Sequence, residues 1–268
     1  MKSKDVKVTA DDWGMSPGVN AGILDLARHG IVQRVSILAN GGFVTSHLED
    51  LKKIRGLELG IHFNVTFGSP SLAEKESAFR VLTVKNGTSF RSLFGLSLLW
   101  LTGSNRQKLL TEIRWSLRGQ LHILNRLGVS PTYFDSHHHI HLLPGLLRGL
   151  ADDLKQNDIE TIRLPLDPQL MFTKRLMLFF LSLSCQKEID SLGFKVSRCH
   201  YPSISQLSDR EYIRRTLAKT TFSEILVHPA RYLDFDILNI DDGYQSGRLK
   251  ECEILSSWPR DRSLTSVM

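Results

Sequence analysis

A run of histidines near the middle of the chain is the strongest chemical signal in the sequence. Asp135 is followed closely by His137, His138, His139 and His141. If this segment is extended, alternate side chains share one side, so His138 faces away from the others and the four imidazoles cannot all bind one ion. The run is internal and is interrupted by an isoleucine, unlike a purification tag. It predicts that at least one of these histidines binds a metal ion.

Two adjacent aspartates and two isolated histidines add to this signal. Asp11 and Asp12 follow a short alternating segment, His62 lies in L-G-I-H-F-N-V-T, and His228 precedes a proline in E-I-L-V-H-P-A. The residue before proline is held extended, which places His228 at a strand end or turn. Each residue alone is compatible with a turn or core role. One carboxylate and two neutral imidazoles together would suit zinc or another divalent ion, with positions left for water and substrate.

The elements that must position these residues alternate along the chain. Ser16 before Pro17 predicts a helix start, because the hydroxyl can cap free amides and proline fits the first turn, and Gly30 marks its end. Further helices are predicted over residues 109–127 and 146–155, and strands over residues 6–10, 31–38, 57–65, 132–135, 161–164 and 224–227. Such alternation is typical of parallel β/α units.

We therefore expect an α/β fold, a TIM-barrel-like (β/α) barrel, in a single domain over residues 1–268 with helical insertions. The motif-bearing core would span about residues 5–230, with residues 231–268 packed on the barrel or partly flexible. An open doubly wound sheet is the alternative. In a parallel barrel the loops after the strands converge on one rim, so the polar residues at the predicted strand ends would meet there.

Six segments carry a family resemblance and occur in order along the chain. They are T-A-D-D-W-G-M-S-P-G-V-N-A-G-I, H-G-I-V-Q-R-V-S-I-L-A-N, L-G-I-H-F-N-V-T, D-S-H-H-H-I-H-L-L-P, I-R-L-P and V-H-P-A. With them the chain resembles the YdjC-like (ChbG-type) carbohydrate deacetylases, metal-dependent enzymes with a TIM-barrel-like fold. A weaker likeness continues through residues 244–255.

The resemblance implies a role for each matching residue. Asp12, His62 and His137 would bind one divalent metal ion, Mg²⁺ or Zn²⁺. Asp11 matches the general base, and His228 matches a histidine that serves as general acid or contacts substrate.

The resemblance also implies residues near the substrate. We expect His139, His141 and Trp13 to contact it, with Trp13 standing where phenylalanine is common. Arg163, in I-R-L-P, either pairs with a carboxylate or contacts the sugar.

The expected function is metal-dependent hydrolysis of an acetyl group from an N-acetylated sugar in an oligosaccharide, glycan or glycoconjugate, by a metal-activated water. Two other readings are open. Another metal-dependent hydrolase, such as a phosphoesterase, could use the same residues, and a sugar-binding protein could bind the glycan without turnover.

Composition excludes several classes of protein. Lys plus Arg number 34 and Asp plus Glu 28, and this +6 excess is spread along the chain without a basic stripe, so no nucleic-acid partner is expected. Cys185, Cys199 and Cys252 are widely spaced, which predicts inert thiols. The first residues lack an apolar signal-peptide core, so we expect a cytoplasmic location.

Two apolar runs, residues 93–101 and 176–183, are flanked by basic residues. Apolar segments beside cations can lie on a membrane surface, which raises the idea of a lipid-linked sugar substrate. Barrel helices or a homodimer contact are simpler explanations. Both runs are far shorter than the roughly 20 residues of a spanning helix.

Overall fold

Seven parallel strands close into a barrel in the computed structural model, which describes residues 6–70, 79–84, 89–103, 105–166, 176–219, 221–234 and 244–259. In chain order, the strands are β1 (Lys7–Trp13), β2 (Arg34–Ile37), β3 (Glu58–Phe63), β4 (Thr83–Val84), β5 (Ser89–Phe90), β6 (Tyr133–Ser136), β7 (Thr161–Leu164), β8 (Lys195–His200) and β9 (Glu224–Val227). The short strands β4 and β5 form a hairpin outside the barrel. β1 pairs with both β2 and β9, and this closes the ring.

Helices follow most of the barrel strands. They are α1 (Pro17–Arg28), α2 (Leu48–Lys52), α3 (Leu93–Thr102), α4 (Arg106–Arg126), α5 (Leu146–Lys155), α6 (Leu176–Leu192), α7 (Ile204–Ser208), α8 (Arg210–Lys219) and α9 (Gln245–Ser256). A 3-10 segment, His137–Leu142, follows β6 directly. The predicted barrel class is thus confirmed, and the closed ring excludes the open doubly wound sheet.

Local sequence explains how the first β/α unit forms. The Ser16 hydroxyl accepts a hydrogen bond from the backbone N–H of Val19 (3.3 Å). Pro17 occupies the first turn of α1, as predicted. Gly30 follows the helix with φ +72°, a left-handed conformation that glycine adopts without strain. This helix buries residues such as Ile23 and Leu26 against the barrel.

One barrel strand is absent from the sequence-based predictions. β8 reads K-V-S-R-C-H and lacks the apolar alternation that reveals a half-buried strand. Its Ser197 is nevertheless buried and accepts a hydrogen bond from Arg34 Nη1 (3.0 Å) inside the barrel. Because the buried side of β8 carries polar residues, apolar alternation in the sequence does not reveal this strand.

The barrel interior is ionic as well as apolar. Arg34 pairs with Glu58 (2.8 Å), and its ring-stacked partner is Tyr133, whose centroid lies 4.5 Å from the guanidinium carbon. Glu224 accepts a hydrogen bond from Arg163 Nε (2.7 Å). Arg34, Arg163 and Glu224 are buried and paired, as buried charges must be, whereas Glu58 is partly exposed.

The described part of the C-terminal region packs on the barrel, because α9 contacts α1 and α7. The two apolar runs lie in helices, the first within α3 and the second at the start of α6. The three cysteines are buried and form no disulfide with one another. Within the described ranges, no helix has the length and apolarity needed to cross a bilayer.

Candidate metal centre and active site

Three side chains from three strand ends converge on one point at the rim. Asp12 Oδ1 lies 3.3 Å from His62 Nε2 and 3.1 Å from His137 Nδ1, and the two histidine nitrogens are 3.3 Å apart. Donors held about 2.1 Å from a single ion in tetrahedral or octahedral geometry are about 3.0–3.4 Å from one another. The spacing and the donor types therefore fit one divalent ion, and we call these residues the metal triad.

A β-bulge brings both aspartates to the site. Successive strand side chains point to opposite faces, but the β1–β2 register shifts between Ala10 and Trp13. Asp12 lies within the shift and has φ +72°, an unusual conformation for a residue other than glycine. Bulges re-aim side chains next to active sites. Here the bulge lets Asp12 join the triad while Asp11 contacts Arg163 inside the barrel.

The histidine run is a turn and not an extended segment, so the expected alternation was wrong. Residues His138 and His139 are left-handed, with φ of 55° and 54°, within the 3-10 segment. Left-handed backbone conformations are energetically costly for residues other than glycine, and they are concentrated at functional sites. Only His137 reaches the triad. His138 Nδ1 lies 2.9 Å from Thr66 Oγ1, and both His138 and His139 line the cavity.

Buried groups behind His62 fix its ring. His62 Nδ1 lies 2.7 Å from Asp135 Oδ1, which also accepts a hydrogen bond from Ser36 Oγ (2.5 Å). A carboxylate only accepts, so Nδ1 carries the proton and the Nε2 lone pair faces the triad. Although burial opposes it, the charges of Asp135 and Asp11 raise the pKa of His62 to about 10. The site thus favours a positive charge at this position, which a metal ion can provide in place of a proton.

Arg248 orients the carboxylate of the triad. Its Nη2 donates to Asp12 Oδ2 (2.5 Å), which leaves Oδ1 toward the two histidines. Burial raises the pKa of Asp12, but Arg248 and His137 outweigh it and hold that pKa well below its usual range. Asp12 is therefore ionised. Sequence reasoning did not select Arg248; the only signal was the weaker likeness over residues 244–255.

Asp11 lies beside the triad and is held by a buried arginine. Its two oxygens accept hydrogen bonds of 2.6 and 2.8 Å from Arg163, which also contacts Asp135 and Glu224. Burial raises the pKa of Asp11 to about 7, with Arg163 opposing the shift. A second group of possible ligands, Asp11, His62 and Asp135, overlaps the triad. Its carboxylates already share Arg163, which leaves the triad as the better cation site.

His228 stands at the end of β9, opposite Asp11. Its Nε2 lies 3.9 Å from Asp11 Oδ2. Its backbone N–H donates to Glu251, which in turn accepts a hydrogen bond from the hydroxyl of Tyr244 (2.6 Å). Burial lowers the pKa of His228 to about 3. The imidazole is therefore neutral near pH 7, and α9 fixes the loop that carries it.

Three predicted substrate contacts do not reach the cavity. Trp13 is fully buried and its indole N–H donates to the carbonyl of Val44 (3.0 Å). His141 is also fully buried, with its ring nitrogens 2.6 Å from Ser136 Oγ and 3.0 Å from the carbonyl of Arg163. Direct contact with substrate is thus corrected to a structural role for these two residues. Arg163 pairs with carboxylates, the other reading of its sequence position.

A cavity of about 560 Å³ opens above the triad. This volume is within the usual range for a small-molecule site. Its floor carries the polar groups Asp11, Asp12, His62, His137, His228 and Arg248. Phe67 packs against the ring of His137, with centroids 5.6 Å apart, and forms part of the wall. The outer part is lined by apolar side chains of α3 and α6.

Comparison with known proteins gives the family of this chain. A model of the family described as "YdjC-like protein" matches residues 5–262. This chain belongs to the YdjC-like family. The resemblance expected from the six segments is therefore confirmed over nearly the whole chain.

Two relatives support the family placement, and a solved structure supports the fold. A protein of Proteus mirabilis (strain HI4320), named chitooligosaccharide deacetylase, is 31% identical over 93% of this chain and 89% of its own length. A protein of the same name from Escherichia fergusonii is 27% identical over 93% of this chain and 90% of its own. A crystal structure from Enterococcus faecalis V583 covers 96% of this chain and 92% of its own with a TM-score of 0.71. At 21% identity, that structure supports the fold alone.

Proposed function

We propose that this protein is a metal-dependent hydrolase that removes the acetyl group from an N-acetylated sugar. The observation that carries the proposal is the metal triad at the floor of the cavity, with Asp11 and His228 beside it. The names of the two relatives aligned over most of this chain point to the same reaction class. The substrate would be an oligosaccharide, glycan or glycoconjugate.

An acetamide is a poor electrophile with a poor leaving group. Its hydrolysis needs an activated water, stabilisation of the developing oxyanion and a proton for the departing amine. Asp12, His62 and His137 would hold a divalent ion, Mg²⁺ or Zn²⁺. When bound, such an ion supplies Lewis-acid polarisation and lowers the pKa of water toward neutrality.

Asp11 would accept the proton of the attacking water. A general base works best when its pKa is near the operating pH, and burial raises the pKa of Asp11 to about 7. The paired hydrogen bonds from Arg163 fix the orientation of this carboxylate. Arg163 is therefore a positioning residue, which acts on the reaction through Asp11.

His228 would pass a proton to the departing amine. Because burial lowers its pKa to about 3, the imidazole is neutral at rest and must first receive a proton. Asp11 Oδ2 lies 3.9 Å from Nε2, beyond direct hydrogen-bond distance, so the proton taken from water would reach His228 through one bridging water. The two groups would act in sequence, Asp11 on the attacking water and His228 on the departing amine.

His139 stays a predicted substrate contact. It lines the cavity, and its Nδ1 is buried without a hydrogen-bond partner among the described residues.

The test combines metal analysis with acetate release. His62→Ala and His137→Ala should lose the bound ion and the activity together, because each removes one of three donors. Asp11→Asn should retain the ion and lose turnover. Treatment of the holoenzyme with a chelator should abolish acetate release, and added Zn²⁺ or Mg²⁺ should restore it. A fully active Asp11→Asn enzyme would contradict the role of Asp11.

A substrate panel separates this proposal from its alternatives. Acetate release from N-acetyl sugars, abolished by chelator, would support a deacetylase. Phosphate release from a generic ester without acetate release would instead identify a phosphoesterase. Binding of the sugars without any product would identify a sugar-binding protein.

A further inference from the structure

The cavity above the metal triad has two chemically different ends. The polar groups already described line its floor. The outer part is lined by six apolar side chains, Leu93, Phe94 and Leu101 of α3 and Met177, Leu178 and Leu181 of α6. We call these six residues the apolar collar. Both helices also contact His137–Leu142, the segment that carries a triad ligand.

Spacing along each helix shows that the collar is a continuous surface. Residues 93, 94, 97 and 101 fall on one side of α3, and residues 177, 178 and 181 fall on one side of α6. Ser97 is the one polar member of the described α3 lining. The surface that the two helices turn toward the cavity is therefore almost entirely apolar.

Four of the six collar residues are exposed, whereas Leu178 and Leu181 are partly buried against the core. Phe94 is 77% exposed, Met177 72% and Leu101 64%. Among the described residues, most of the exposed large apolar side chains lie on these two helices: Leu93, Phe94, Leu98, Leu101, Leu176, Met177, Phe180 and Leu183. Concentrated apolar exposure of this kind marks a binding surface.

The chemistry of the collar selects among possible occupants. A chain of hydroxylated sugars would place polar groups against leucine, phenylalanine and methionine, where unpaired hydroxyls are costly. An alkyl, acyl or isoprenoid chain would bury its apolar surface against these side chains, and the hydrophobic effect would stabilise the complex. Because collar and triad line one cavity, a single amphipathic molecule can fill both ends.

We propose that the substrate is an N-acetylated amino sugar that carries an apolar chain, with the acetamide at the metal triad and the chain on the apolar collar. This inference rests on the proposed deacetylase function and specifies its substrate class. It also explains why the collar side chains of α3 and α6 frame the mouth of the cavity, whereas Leu96 and Trp100 of the same α3 run pack into the core.

The size of the expected effect follows from the hydrophobic transfer of methylene groups. Full burial of one methylene contributes about 0.8 kcal/mol, so three buried methylenes correspond to about a 50-fold change. We therefore expect the wild-type enzyme to turn over an octyl glycoside of N-acetylglucosamine with kcat/KM at least about 30-fold above that of the methyl glycoside. Both are used below the concentration at which micelles form.

Variants of the exposed collar residues localise the effect. The double variant Phe94→Ser, Met177→Ser should reduce the octyl-to-methyl ratio of kcat/KM about tenfold or more, because two apolar contacts are lost. The ratio is taken within one enzyme, so changes in folding or metal content cancel. Trp115→Ser is the matched control, since Trp115 is 45% exposed on α4 and outside the described cavity lining. It should keep the wild-type ratio.

Calorimetric binding of the two glycosides to Asp11→Asn holoenzyme separates failure of this inference from failure of the proposed function. If no glycoside releases acetate but octyl binds much more tightly than methyl, the deacetylase proposal fails and the collar assignment stands. Equal kcat/KM and equal affinity for both glycosides would overturn the inference. An octyl-to-methyl ratio of kcat/KM that is unchanged in the double variant would also overturn it. The same holds if the collar mediates only dimerisation or only binding to phosphatidylglycerol vesicles.

Discussion

At the scale of single residues, Arg248 fixes the orientation of the Asp12 carboxylate toward the two triad histidines. Its guanidinium occupies Oδ2 and leaves Oδ1 between the two triad histidines. Removing a group that orients a metal ligand lowers metal affinity about 10–100-fold. We expect Arg248→Met to lower Zn²⁺ affinity by this factor, as measured by titration against a chromophoric chelator.

The pH dependence of that loss follows from charge. Because Arg248 holds the pKa of Asp12 well below its usual range, its removal raises that pKa and lets protons compete with the ion as pH falls. The affinity deficit should therefore widen on acidification. Arg126→Met, a change at an exposed arginine at the end of α4, is the matched control and should leave affinity unchanged. Wild-type affinity in Arg248→Met would contradict the orienting role.

Residue chemistry made part of the site predictable. Asp12, His62 and His137 could be proposed because carboxylates and imidazoles at strand ends are unusual, and their sequence segments resemble a known family. Arg248 gave only the weak family likeness over residues 244–255 as a signal, since an arginine on a helix is usually solvated. Its role appears only when α9 packs over the rim and buries the guanidinium beside Asp12.

At the scale of elements, one buried carboxylate ties α4 to α5. Asp153 accepts hydrogen bonds of 2.7 Å from both Arg114 and Arg118. Although burial opposes it, these arginines lower the pKa of Asp153 from its ordinary value of 3.8. The resulting stability is present above pH 4 and is lost as pH falls through the lowered pKa.

We expect Asp153→Asn to reduce the free energy of unfolding by about 1–2 kcal/mol at pH 7, a value discounted because both arginines are partly exposed. The deficit should shrink as pH falls from about 4, where wild type also loses the charge. Urea unfolding at several pH values measures it. Asp152→Asn, the exposed neighbour, should change stability little; an equal loss in both variants would refute the link.

Strands and helices were predicted correctly where the apolar pattern of the sequence matches the residues that the fold buries. The strands β7 and β9 and the helix α5 have the expected bounds, because apolar spacing is clear in each. The histidine run and the end of β1 could not be predicted. Both depend on left-handed residues other than glycine, held in place by contacts between distant parts of the chain.

At the scale of the whole molecule, alternation of strands and helices was enough to predict a barrel, but not what fills it. Charged residues within strands suggest solvent-exposed faces. In this structure Arg163 and Glu224 are fully buried and paired across the interior. Ring closure between β9 and β1 creates that enclosed space, and no local pattern encodes it.

Because of the same network, the stability of the barrel depends on the guanidinium of Arg163. Arg163 contacts Asp11, Asp135 and Glu224, so Arg163→Met would leave three buried carboxylates without their shared partner. Breaking a buried ion pair by removing one partner costs about 3–5 kcal/mol, and we expect a loss of that order at pH 7 in urea unfolding. Without the cation, burial would raise the folded-state pKa values of these carboxylates, so the deficit should shrink toward pH 4 as they take up protons. Arg28→Met removes a half-exposed partner of Asp50, 3.3 Å away, and should cost less than about 1 kcal/mol. A comparably small loss for Arg163→Met, independent of pH, would mean that the barrel interior does not rely on this arginine.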